Sequence, residues 1–166
     1  VDTVPLYLWV DVAKIESAVQ NLLSNAFKYT SQNGRIELAV SEAEIDGRPY
    51  CLVTVSDNGV GIPDDLQQHV FDSFVTGKRI PQYSTSIGLG LHIVKHTMGL
   101  HHGFVTLTSR VGEGSRFVLH IPMGLSHFAP GEYEMVPDPM KGDLLEECPV
   151  EERPMEEVVE EKNETM

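Results

Sequence analysis

Two asparagines one helical turn apart, Asn21 and Asn25, are followed by Lys28 and Tyr29, three and four residues after the second. Residues at these spacings share a helix face, so two amides, a cation and an aromatic ring would converge there. An amide oxygen is a hard donor of the kind Mg²⁺ accepts while it keeps waters and phosphate oxygens in its shell. A second stretch, Asp57-Asn58-Gly59-Val60-Gly61-Ile62-Pro63, sets a lone carboxylate where Val53-Thr54-Val55-Ser56 ends and a glycine turn begins. A carboxylate facing adenine accepts a hydrogen bond from the exocyclic amine; guanine presents a carbonyl there and is rejected. Gly59 and Gly61 let the backbone turn and approach a purine without a Cβ in the way. A third stretch, Gly88-Leu89-Gly90-Leu91-His92-Ile93-Val94-Lys95, opens a helix on glycines, and its free N–H groups and dipole suit phosphate. The three together suit a nucleotide held with its metal.

Positioning these groups requires a regular scaffold. Leu6 to Val10 reads as a short strand, and Asp11 sits where a helix N-cap belongs. Ile15, Val19, Leu22, Leu23 and Ala26 then follow helical spacing, and Ser31 to Gly34 ends that helix. Arg35 to Glu44 alternates as a strand with Ile36, Leu38 and Val40 on one face; Asp46-Gly47 is a hairpin turn, and Tyr50 to Ser56 returns. Asp64 to Phe74 has room for a short helix, whereas Thr76 to Ile87 is polar and irregular, a length of loop that is usually functional or disordered. Leu89 to Leu100 is a second amphipathic helix. Phe104 to Ser109 and Arg116 to Ile121 form a last hairpin about Val111-Gly112-Glu113-Gly114. This order predicts an α/β fold, a two-layer sandwich with helices on one face of a mixed sheet.

The net charge of −13 over 166 residues is uneven: from Ala129 onward there are 13 acidic and 3 basic residues. Residues 1–128 are therefore read as one nearly balanced domain and 129–166 as an acidic, Pro- and Glu-rich linker that cannot bury enough apolar surface to order itself. No basic stripe of the kind nucleic acid requires is present. No apolar run reaches the roughly 18 residues of a membrane span, and the start at Val1 without Met suggests a piece of something longer. Cys51 and Cys148 lack metal-ligand spacing and read as reduced cytosolic thiols.

The three stretches, with Phe71-Asp72-Ser73-Phe74 between the second and third, resemble the ATP-binding domain of sensor histidine kinases. That domain belongs to a superfamily shared with type II topoisomerases, Hsp90-type chaperones and MutL-type repair proteins. The resemblance covers roughly Leu6 to Met123 and implies a Bergerat-type fold that binds ATP with Mg²⁺. It implies that Asn25 holds the metal bridging the phosphates, Asn21 supports its shell, Lys28 pairs with phosphate charge, and Tyr29 packs near base or ribose. Asp57, Gly59, Gly61 and Ile62 would receive the adenine; Gly88, Leu89, Gly90 and Leu91, with His92 beside them, would face the phosphates. Ser115 matches a hydroxyl near the base, and Phe71 and Phe74 match either an aromatic pair anchoring a lid or two core residues. The sequence departs from the pattern at Ser86, where the first glycine of Gly-x-Gly-x-Gly-Leu is expected.

Hydrolysing relatives carry a Glu one turn before the metal-binding Asn; here that place is Asn21, so the base for water is missing. Glu16 lies nine residues before Asn25, about half a turn round the helix, and cannot substitute. The resemblance thus implies phosphotransfer to a histidine on a separate dimerisation helix, resting on positioning and on Mg²⁺ and Lys28. It also implies a receiver domain after the linker, as in hybrid kinases, and a cytoplasmic, monomeric domain of a membrane-anchored parent. The alternative is a degenerate nucleotide-binding or regulatory module without turnover, which Ser86 motivates.

Overall fold

A computed structural model of the chain describes residues 8–72 and 89–133. The chain divides into two units, Val1–Pro130 and Gly131–Met166, and every helix and strand named below belongs to the first.

Helix α1 spans Val12–Tyr29, capped by Asp11, whose side chain accepts the Lys14 N–H at 3.1 Å and pairs with the Lys14 ammonium. That pairing holds the Asp11 carboxyl below its usual pKa. The first hairpin is β1 (Ile36–Ile45) and β2 (Arg48–Asp57), in register from Ile36 opposite Asp57 to Ile45 opposite Arg48. Asp46 and Gly47 both take positive φ (51° and 74°), as a two-residue hairpin turn requires. A four-residue helix α2 (Asp64–Gln67) follows, then α3 (Gly90–Leu100), β3 (Phe104–Arg110) and β4 (Gly114–Pro122).

The strands form one sheet in the order β1-β2-β4-β3. Every pairing among the described residues is antiparallel, whereas the sequence reading expected a mixed sheet. The two-layer architecture is as expected. Ala18, Leu22 and Ala26 of α1 and Val94 and Met98 of α3 are buried with Cys51, Val53 and Val55 of β2 and Phe117, Leu119 and Ile121 of β4. Cys51 is a free thiol, and burial, then Glu42, pushes its pKa up. Cys148, like Leu6 and Tyr7, lies outside the described residues.

One further sequence expectation needs correction. Leu8 to Val10 carry no strand; Leu8 and Val10 pack partly buried on the core, and the segment leads to Asp11, whose N–H donates to Nε2 of His101 at 3.0 Å. His101 is buried and its Nδ1 lies 2.7 Å from the Thr97 carbonyl, so one imidazole ties the end of α3 to the start of α1. That tie draws the entering chain toward α3. Past β4 the chain keeps packing: Met123 donates to the Pro49 carbonyl and lies against the core, and Phe128 sits 5.2 Å from the His102 ring.

Among the described residues no helix is long and apolar enough to cross a membrane.

His120 stacks on Phe104 at 4.2 Å, and burial pushes its pKa down. His127 is lowered too, first by burial and then by His102, Arg48 and His101. Both pKa values are lowered on folding, so the unfolded chain binds more protons below its reference value of about 6.5. Their contribution to stability is complete above that pH and is lost as pH falls from there toward the folded values. Melting temperature measured from pH 8 to pH 5 is expected to decline below about 6.5, and less steeply in His127→Gln.

Candidate functional site

The C-terminal ends of α1 and β2 meet at one end of the sheet, and the start of α3 lies against the middle of α1, at Asn21. Asn21 is half-buried on α1; its Nδ2 donates to the Ser17 carbonyl at 2.8 Å, which leaves Oδ1 turned to α3. A Cβ on Gly90 would stand 2.8 Å from that oxygen, so the missing side chain lets the first turn of α3 rest on α1. Leu89 caps α3 with no side-chain hydrogen bond, and no acidic residue stands in its first turn. Among the described residues the cap and first turn thus give the leading N–H groups no side-chain acceptor, and the dipole adds positive character.

The Asp57–Ile62 loop is stitched to the C-terminal end of α1. The Val60 N–H donates to the Tyr29 carbonyl at 3.1 Å, and Gly59 lies so close to that carbonyl that any Cβ would collide with it. Asp57 accepts the Gly59 N–H through Oδ1 at 2.8 Å, leaving its second oxygen for an external donor. Asn58 ties the loop to β1 by accepting the Arg35 N–H at 2.6 Å and donating its own to the Arg35 carbonyl.

Asp57, Ser115 and Ser109 stand side by side on adjacent strands: Asp57 pairs with Ser115, and Ser115 with Ser109. Each shares the helix-side face of its strand with core residues, Val55 and Phe117 among them, so this row floors the space beneath the helix ends. Ser115 is buried. Ser109 and Gln67 were not foreseen from the sequence. The Ser109 hydroxyl accepts the Ile62 N–H at 2.8 Å, and Gln67 Nε2 donates to the Ile62 carbonyl at 2.8 Å. The hairpin expected about Val111-Gly112-Glu113-Gly114 would set Ser109 opposite Arg116; the observed register is shifted by one residue and sets it opposite Ser115.

The other expected residues fall differently. Asn25 is half-buried one turn after Asn21, and Lys28 is exposed with Nζ 5.2 Å from the Tyr29 ring centre. Ile62 and Leu91 pack partly buried against the core, and that packing fixes the backbone on either side of the site. His92 is exposed, with Nδ1 3.3 Å from the Phe71 carbonyl. It borders an open cleft of about 530 Å³ with Phe71, Asp72, Lys95, His96 and Leu100, which none of the other expected site residues among those described lines. Phe71 meets Phe117 edge-on at 6.2 Å and packs on the core, the second of its two sequence readings. Phe74, Ser86 and Gly88 lie outside the described residues. Glu16 is exposed and accepts from Gln20 at 3.1 Å, away from the row.

The donor set fits Mg²⁺ carried on a polyphosphate: one hard amide oxygen at Asn25, an uncapped helix start, and no need for a protein cage. Among the described residues no group of three or more His, Cys, Asp or Glu is placed to hold a metal alone.

Comparison with known proteins bears on the same segment. Residues 10–125 match the family model described as histidine kinase-, DNA gyrase B-, and HSP90-like ATPase. Sensor histidine kinase TmoS of Ectopseudomonas mendocina is 38% identical over 115 residues, 69% of this chain and 12% of that protein. Hybrid signal transduction histidine kinase D of Dictyostelium discoideum is 34% identical over 122 residues, 72% of this chain and 8% of that protein. The chain thus spans a small fraction of these relatives. Among solved structures, the catalytic domain of histidine kinase ThkA is similar with a TM-score of 0.61 at 28% identity, over 74% of this chain and 76% of that one.

Proposed function

This chain belongs to the histidine kinase-, DNA gyrase B- and HSP90-like ATPase family, with sensor and hybrid histidine kinases among its relatives, and from that premise we propose that it binds Mg-ATP and presents the γ-phosphoryl group to a histidine on a separate dimerisation domain. The observations that support this reading are the pairing of Asp57 with Ser115 beside the C-terminal end of α1 and the seating of Gly90, at the start of α3, against Asn21. The first accepts hydrogen bonds from an amine, and the second attracts anions.

Asp57 orients the adenine through its free carboxylate oxygen, and Gly59 and Gly61 keep the loop low enough for the purine to approach. The first turn of α3 receives phosphate oxygens, Lys28 adds a positive charge, and Asn25 offers its amide oxygen to the metal. Mg²⁺, where bound, neutralises phosphate charge and aligns the γ-phosphoryl for in-line attack. The side chain at position 21 is an amide with its N–H₂ engaged by Ser17, so it takes no proton from water. That favours transfer to an incoming nucleophile over hydrolysis. The parent protein is proposed to carry the acceptor histidine and a receiver domain, with this domain on the cytoplasmic side of a membrane anchor.

Calorimetric titration of ATP, with GTP as control and with and without Mg²⁺, tests the reading. ATP is expected to bind, GTP not, and Mg²⁺ to tighten the complex. In Asn25→Ala the affinity with Mg²⁺ is expected to fall about tenfold or more, the scale of one charge-assisted contact, and the Mg²⁺ dependence to vanish. Absence of ATP binding by the unaltered chain would instead support the degenerate interaction module that Ser86 motivates.

A further inference from the structure

The Ser109 hydroxyl makes three contacts: it accepts the Ile62 N–H at 2.8 Å, donates to the Gly114 carbonyl at 2.8 Å, and lies 3.0 Å from the Ser115 hydroxyl. A serine hydroxyl owns one proton and two lone pairs. The Gly114 carbonyl can only accept, and one arrangement of the pair places the Ser109 proton on it. One lone pair is filled by the Ile62 N–H, which leaves one lone pair for Ser115. In that arrangement the hydrogen bond between the two serines runs from Ser115 to Ser109. Ser115 has then used its only proton, and the rest of its oxygen is purely an acceptor.

We infer that Ser109 is a positioning residue that sets purine selectivity by fixing the direction of the Ser115 hydroxyl. Resting on the nucleotide reading above, the inference supplies a second determinant beside Asp57. Asp57 and Ser115 are directly opposed across β2 and β4. With Ser109 in place the row offers a carboxylate oxygen and a hydroxyl oxygen, both acceptors, and selects an amine at purine position 6. A 6-oxo purine would need a donor there, which a free serine could supply by rotating its proton. Ser109 removes that freedom.

Gln67 provides an internal control. Its Nε2 lies 2.8 Å from the Ile62 carbonyl, 3.1 Å from the Ser109 carbonyl and 3.0 Å from Asp64 Oδ1, so it braces the same backbone without touching either hydroxyl. Loss of Gln67 loosens the loop; loss of the Ser109 hydroxyl loosens it and also frees the Ser115 proton.

The test is calorimetric binding of ATP and inosine triphosphate, which differ at position 6 and the adjoining ring nitrogen, to the full 166-residue chain. Ser109→Ala is expected to lower the ATP-to-inosine ratio about tenfold, the worth of one directional hydrogen bond. Gln67→Ala is expected to weaken both ligands alike, and Ser109→Thr, which keeps the hydroxyl, to restore the ratio. An unchanged ratio in folded Ser109→Ala overturns the inference while leaving ATP binding intact. Should Ser109→Ala fail to fold, Ser115→Ala carries the test: its ratio must fall too, and an unchanged one overturns the proposal. If the unaltered chain binds neither ligand, the nucleotide reading fails and this inference falls with it.

Discussion

Asp57→Asn is expected to weaken ATP binding about 100-fold while leaving the fold in place. The amide oxygen of Asn can still accept the Gly59 N–H that Asp57 Oδ1 holds at 2.8 Å, so the turn keeps its internal bond. The change falls on the other position, where an acceptor oxygen becomes an N–H₂ donor and the negative charge disappears. An amine on the ligand then faces an amine on the protein. A hydrogen bond to a charged partner contributes roughly 1.5–3 kcal/mol, and a buried mismatch adds to its loss. A 6-oxo purine nucleotide should lose nothing, since its carbonyl now meets a donor. Calorimetry with both ligands decides the matter: if the variant keeps ATP affinity within a few-fold, Asp57 does not face the base.

Gly61→Ala is expected to destabilise the domain by about 3 kcal/mol, lowering the melting temperature by roughly 10 °C. Gly61 has φ of +69°, a region that costs other residues about 1–2 kcal/mol. Its Cβ would also run into the Arg110 carbonyl and stand 3.0 Å from the Val111 Cα. Both are backbone atoms, so no side-chain rotation relieves the contact. The bond from the Gly112 N–H to the Val60 carbonyl, 2.9 Å long, lies in the same seam and would open. Gly47 separates the two causes: it has φ of +74°, and a Cβ there would meet nothing within 4 Å, so Gly47→Ala bears the conformational cost alone. Equal melting shifts in the two variants would show that the close approach at Gly61 carries no weight.

Local chemistry made much of this fold readable. The Asp11 cap, the apolar spacing along α1 and the Asp46-Gly47 turn each act within a few residues, and each stands where the sequence put it. Leu38 and Val40 show where that logic stops. Alternation places them with Ile36 on one face of β1, yet they are 51% and 58% exposed because β1 is an edge strand beyond the helices. Period fixes the face; only the width of the covering layer decides whether it is buried. Leu8 to Val10 have the composition of a strand, but a hydrogen bond from Asp11 to His101, 90 residues away, settles their course. The candidate site divides the same way. Asparagine spacing and glycine turns marked its pieces, whereas Ser109 and Gln67 act through partners more than 40 residues distant, at Ile62 and on β3, which only the hairpin register could have brought near.

The ten-residue register of the first hairpin places the Asp46-Gly47 turn at one end of the sheet and Asp57 at the other. Nine steps of strand make that separation roughly 30 Å. Asp46 is exposed, its turn already adopts the conformation that small insertions favour, and no neighbouring atom crowds Gly47. The hairpin tip is therefore a natural attachment point: a fluorophore or short peptide tag grafted there stays rigidly coupled to β2 through its ladder, yet lies too far from the row of acceptors to touch a ligand.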